Sequence, residues 1–151
     1  DILWTCNLAP LLIGIGLLAA RPLLAGVGTL WLSFGVPLWL LDLATGGTLA
    51  PTSLLTHLGG LAGGLLAVHR LGIPRGAWLF ALSGLAILNI VSRAATPPAL
   101  NVNLAHAVWA GWETHFPSYA LYQLLVIGVA AVTFFLAEHL YRHAFARAAV
   151  S

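Results

Sequence analysis

Five long runs of apolar residues, almost free of charge, leave this chain very few folds to choose from. The runs cover residues 3–20, 23–43, 51–68, 77–91 and 119–141. Lipid offers no partner to a backbone N–H or C=O, so a segment of about 20 apolar residues crosses a bilayer only as helix. Charged residues are 7% of the chain and hydrophobic ones 60%, and no lysine is present. A water-soluble domain of this size needs a far larger charged surface. The pattern therefore predicts an all-α, polytopic transmembrane bundle, one domain over residues 1–151, with five spans.

The punctuation is clear. Arg21-Pro22 breaks the first hairpin, Thr45-Gly46-Gly47-Thr48 with Pro51 the second, and residues 70–75, with Gly72 and Pro74, the third. The fourth run is short and leaves little room for tilt. Residues 94–118 are too polar to span, yet they carry Trp109, Trp112 and Phe116. Amphipathic rings favour the headgroup level, so this segment is expected to lie along the membrane surface as a lid. Trp109 and Trp112 are three apart, and a helical turn there would turn both rings the same way.

With side A defined as the side where the chain starts, alternation puts Arg21, Arg70, Arg75, Arg142 and Arg147 on side B and Arg93 alone on A. Asp1, Asp42 and Glu113 fall on A and weigh little. The positive-inside rule then makes B, with the C-terminus, cytoplasmic and A non-cytoplasmic. The expected location is the bacterial inner membrane. The net charge of +2 is topogenic arginine and implies no nucleic-acid partner. The start at Asp1 raises the expectation of a further helix upstream.

Polar residues inside a membrane are costly, and each is a functional candidate with a packing role as its rival. Antiparallel folding collects several at one depth. Cys6 and His57 lie roughly 5 to 9 Å below the A boundary, and Asn7, Asp42, Ser53 and Asn89 share that leaflet. The third helix is expected at the middle of the bundle. Gly59, Gly60, Gly63 and Gly64 form overlapping small-residue pairs that let neighbours approach, and His57 shares their stripe. Cys6 is the only cysteine. Its bland role is packing; its sharp role is a nucleophile with His57 as base. In that arrangement Asn89 or Asp42 would hold the imidazole, as a third group does in Cys-His-Asn sites.

On side B, His69, His139 and His143 end their helices. His139 and His143 are four apart, the spacing of a two-histidine metal edge, but Glu138 and the snorkelling Arg142 between them favour an interfacial role. They remain weak metal candidates, and neither a metal nor a cofactor is expected.

The order of landmarks carries a resemblance. Trp4-Thr5-Cys6-Asn7-Leu8-Ala9 opens a span, Pro51 precedes the third helix, and His57 is followed by glycines. Asn89 lies near the end of the fourth helix, and Pro117-Ser118-Tyr119 opens the last. This resembles a family of bacterial integral membrane proteins related to eukaryotic cysteine-dependent transmembrane phospholipid acyltransferases. The likeness runs from Cys6 to about Leu136. It implies that the family's nucleophilic cysteine falls on Cys6 and its histidine on His57. Two departures stand out: Thr52 replaces the family's acidic residue after the turn proline, and no tyrosine accompanies Leu100-Asn101-Val102-Asn103. Family members generally carry an additional N-terminal helix.

Two functions follow as expectations. One is acyl transfer through a thioester on Cys6, with membrane lipids as substrates. The other is a non-catalytic accessory or scaffold subunit of a larger membrane complex, in one version haem- or pigment-associated. No inverted repeat or broken helix supports transport.

Overall fold

The computed structural model describes residues 2–146, and five helical segments account for most of them. We number them α1 (Thr5–Leu18), α2 (Pro22–Ala44), α3 (Pro51–Leu71), α4 (Ala77–Ala95) and α5 (Tyr119–Ala146). No strand occurs among the described residues. Asp1 and Arg147, both used in the sidedness argument above, lie outside them.

The helix boundaries follow local chemistry. Pro22 and Pro51 occupy first-turn positions, where a missing N–H is harmless. Gly72 (φ 73°) closes α3 and Gly76 (φ 81°) precedes α4, both in backbone that favours glycine. The side chain of Glu138 on α5 accepts hydrogen bonds from Gly76 N (3.0 Å) and Trp78 N (2.9 Å). A carboxylate 60 residues away thus caps α4, whose own sequence supplies no cap.

Four helices, α2 to α5, are long and apolar enough to cross a membrane. With 14 residues, α1 spans only about 21 Å, short of a roughly 30 Å hydrocarbon core. The fourth helix, by contrast, outruns its expected end at residue 91 and continues to Ala95.

The centre of the bundle is α2, not α3 as the glycine pattern suggested. It packs against α1, α3, α4 and α5, and 56% of its apolar stretch is buried, against 22% or less in the other three long helices. Small residues explain this. A β-carbon at Gly28 would sit 2.6 Å from the Ala9 carbonyl oxygen, and one at Gly16 2.5 Å from Ala25 N. On α3 only half the glycine motif packs inward. Gly60 meets Leu32 and Pro10, and Gly64 meets Thr29 and Ile13, whereas Gly63 faces open space and Gly59 meets only Leu55 of its own helix.

Candidate functional site

Seen along α2, the bundle changes character halfway. Residues 25 to 32 are buried without exception, and toward side A the packing opens into a cavity of about 620 Å3. Its walls come from all five helices and from the 94–118 segment. Cys6, Asn7, Asp42, Ser53, His57 and Asn89 all line it. The lining is graded: these polar groups, with Thr52, Thr56 and Asn101, give way to Trp31, Phe34, Leu85, Val126 and Phe134.

Cys6 and His57 share the wall formed by α2. A β-carbon built on Gly35 would lie 4.0 Å from that of Cys6, so the cysteine packs over the glycine. The His57 ring stacks on Trp39, with centroids 4.7 Å apart and planes 6° from parallel. Gly35 and Trp39 are four residues apart on one helix, so the two side chains meet the same face about one turn apart.

His57 is 7% exposed and sits in a π-helical turn, Leu55–Gly59, where Gly60 N donates to Leu55 O five residues back. Such single wide turns concentrate at functional sites. Nδ1 of His57 lies 2.8 Å from the Ser53 carbonyl oxygen and 3.3 Å from Ser53 Oγ. A carbonyl can only accept, so Nδ1 carries the proton and, in the neutral ring, Nε2 carries the lone pair. No described residue bonds Nε2. Because no buried side-chain N or O among the described residues lacks a partner, that nitrogen keeps accessible surface.

The imidazole is therefore held by Ser53, not by Asn89 or Asp42. The Asn89 amide instead donates to Asn103 O (3.0 Å), and Asp42 lines the cavity at the end of α2 with no ion pair to another described residue. Sequence spacing could not separate these roles, because three helices deliver polar groups to the same depth.

The lid is a strap of tight turns and single 3-10 turns with no α-helix, and Asn103 is its anchor. Its Oδ1 accepts from Thr5 N (2.9 Å) and Thr5 Oγ1 (2.8 Å), and its Nδ2 donates to Leu3 O (2.7 Å) and Ser92 Oγ (2.9 Å). One side chain thereby caps α1 beside Cys6 and ties it to the end of α4. Arg93 adds a bond to Ala105 O (2.7 Å), and Gln123 and Tyr119 on α5 both donate to Leu104 O. These contacts hold Asn101, Asn103 and Leu104 at positive φ, a strained region for leucine above all. Trp109 lines the cavity, whereas Trp112 is exposed and leans on His115. The expected helical turn that would pair the two rings is absent; Trp112 N closes a tight turn on Trp109 O instead.

Sequence reasoning missed Asn103, Trp39 and Gln123. The usable signal for Trp39 was its spacing of three from Asp42 and four from Gly35; for Asn103 it was a polar residue in a segment too short to be solvated everywhere.

On side B, the His139 and His143 rings lie 4.4 Å apart, and His69 packs edge-on against Phe145. No group of three His, Cys, Asp or Glu able to hold a metal occurs among the described residues.

The chain matches no protein-family model, no curated protein and no solved structure.

Proposed function

We propose that this protein is an integral membrane acyltransferase that carries an acyl group on Cys6 as a thioester, in the leaflet away from the cytoplasm. The observation that carries the reading is the shared cavity of Cys6 and His57, with His57 Nδ1 bonded to the Ser53 carbonyl and Nε2 left available as base. The graded lining also suits a phospholipid, polar at the ester and apolar along the chain. The order of landmarks from Cys6 to Leu136, which resembles the cysteine-dependent acyltransferases, agrees with it. The arginine distribution supports a cytoplasmic C-terminus and a bacterial inner-membrane location.

In this mechanism Cys6 Sγ gives its proton to His57 Nε2 and attacks the ester carbonyl carbon. The carbon–oxygen bond of the ester then breaks, and His57 returns the proton to the departing lysolipid alkoxide. An acceptor hydroxyl attacks the thioester in turn, losing its proton to His57, and the thiol is restored. Asn7 lines the same cavity, and its amide is a candidate donor to the oxyanion.

The test is transfer of an alkyne-tagged acyl chain from phospholipid to the protein in reconstituted vesicles. Wild type should take up label that hydroxylamine removes, and Cys6→Ala should take up none at unchanged abundance. His57→Ala should label weakly at neutral pH and partly recover at high pH, where the thiol ionises unaided. Labelling that survives Cys6→Ala would end this reading.

One observation favours a second reading, an accessory subunit of a larger complex. Gly59 and Gly63 make a small-residue pair on α3 that faces away from the bundle, a surface on which another transmembrane helix packs closely. Stoichiometric co-purification of a partner that Gly63→Leu abolishes would support it.

A further inference from the structure

The cavity's side wall differs from its roof. The 94–118 strap lines the end toward side A, but the A-side half of α3 stands apart from α5. The B-side half of α3, Gly60–Leu71, packs against α5, with His69 against Phe145. The A-side half, from Pro51 through the π turn, makes no comparable contact with α5. The two helices therefore meet at one end and diverge toward the other. Thr52 and Thr56 form one jamb of the gap, and Val126 and Ile127 the other. All four line the cavity, and Thr52 and Ile127 are solvent-accessible.

A second gap, between α1 and α4, provides the contrast. It is an entirely apolar groove floored by Trp31. Trp31 also lines the main cavity, so it is the partition between the two. That partition is fixed: its Nε1 donates to Ala81 O (2.8 Å), and its ring fills the space where a side chain on Gly84 would be. One gap is walled off, and the other is not.

We infer that the α3–α5 gap is a lateral portal through which one acyl chain of a bilayer phospholipid enters the cavity from the A-side leaflet. Its depth fits this occupant. Thr52 starts α3 and Ile127 lies eight residues into α5, so the gap covers roughly the first 12 Å below the boundary. That interval holds the ester groups and upper chain segments of that leaflet. No arginine or lysine among the described residues lines the cavity, so no permanent cation there selects a free fatty-acid carboxylate over a chain still attached to its glycerol. The inference deepens the proposed function by fixing how its substrate arrives, but it requires only binding and no thioester.

Photocrosslinking in nanodiscs tests it, using a phosphatidylcholine with a diazirine at the end of one acyl chain. Cavity residues on α2 and α5 should be labelled in wild type and equally in Cys6→Ala, which separates this inference from the acyltransferase reading. Ile127→Trp, placed at the jamb, should abolish labelling inside the cavity while a small water-soluble maleimide still reaches Cys6. Ile87→Trp, at an exposed position that lines only the other groove, should leave cavity labelling in place. The portal is refuted if Ile127→Trp leaves cavity labelling intact, or if Ile87→Trp is the variant that removes it. A diazirine fatty acid that labels the cavity in preference to the phospholipid overturns the assignment of the occupant. Loss of the folded protein in Ile127→Trp, read by size-exclusion, moves the test to Val126→Phe at the same jamb, with the same outcomes decisive.

Discussion

The two halves of the bundle are built to different ends, and α2 runs through both. In the B-side half, small residues bring the helices into close contact: Gly16 on Ala25, Gly26 on Ile73, Gly28 on Ala9, Gly64 on Thr29. In the A-side half the same helix offers Phe34, Gly35, Leu38, Trp39 and Asp42 to a cavity. Inside lipid, apolar burial adds little drive for helix association, so close packing and hydrogen bonds must hold the bundle. Concentrating them at one end lets the other end carry space and polar groups.

That division is open to attack. The largest effect is expected from Gly28→Leu: its side chain would begin 2.6 Å from a backbone oxygen, which cannot yield as a flexible side chain does. We expect a loss of about 3 kcal/mol or more, seen as failure to recover folded protein. Glu138→Ala comes next. It leaves Gly76 N and Trp78 N without their acceptor, at a cost of about 1–3 kcal/mol, readable as a lower melting temperature in detergent. If Glu138→Ala melts like wild type, the tight half does not depend on its long-range cap.

In the open half, Asn103→Ala should cost about 2 kcal/mol across its several bonds, and its distinctive effect should be faster maleimide modification of Cys6 as the strap loosens. An unchanged rate would mean that the strap does not guard the cavity. Trp39→Leu should melt within about 1 kcal/mol of wild type yet reduce acyl labelling, because His57 loses the face it stacks on. Smallest of all, Gly63→Ala meets open space and should shift stability by no more than about 0.5 kcal/mol. A large loss there would instead favour the accessory-subunit reading.

Much of the open half was legible before the fold. Membrane depth is additive along a helix at about 1.5 Å per residue, so counting from each boundary brings Cys6, Asn7, Asp42, Ser53, His57 and Asn89 to one leaflet, and all six line one cavity. Which polar group does what was not legible. Ser53 rather than Asn89 holds His57 because the imidazole reaches back one turn on its own helix, and Asn89 is taken up by the strap.

The sequence by itself determined the helical bundle, its turns, and the depth of its polar residues. The reason is that lipid denies the backbone any partner but itself, and hydropathy records that constraint residue by residue. Only the tertiary structure decided that α2 is central, that one glycine pair packs inward and the other outward, that Glu138 caps α4, and that all five helices line one cavity. Those outcomes depend on the lateral arrangement and rotation of helices that are apolar all round. Such helices carry no period from which the buried face can be read, so contacts between residues as far apart as Gly76 and Glu138 had to settle it.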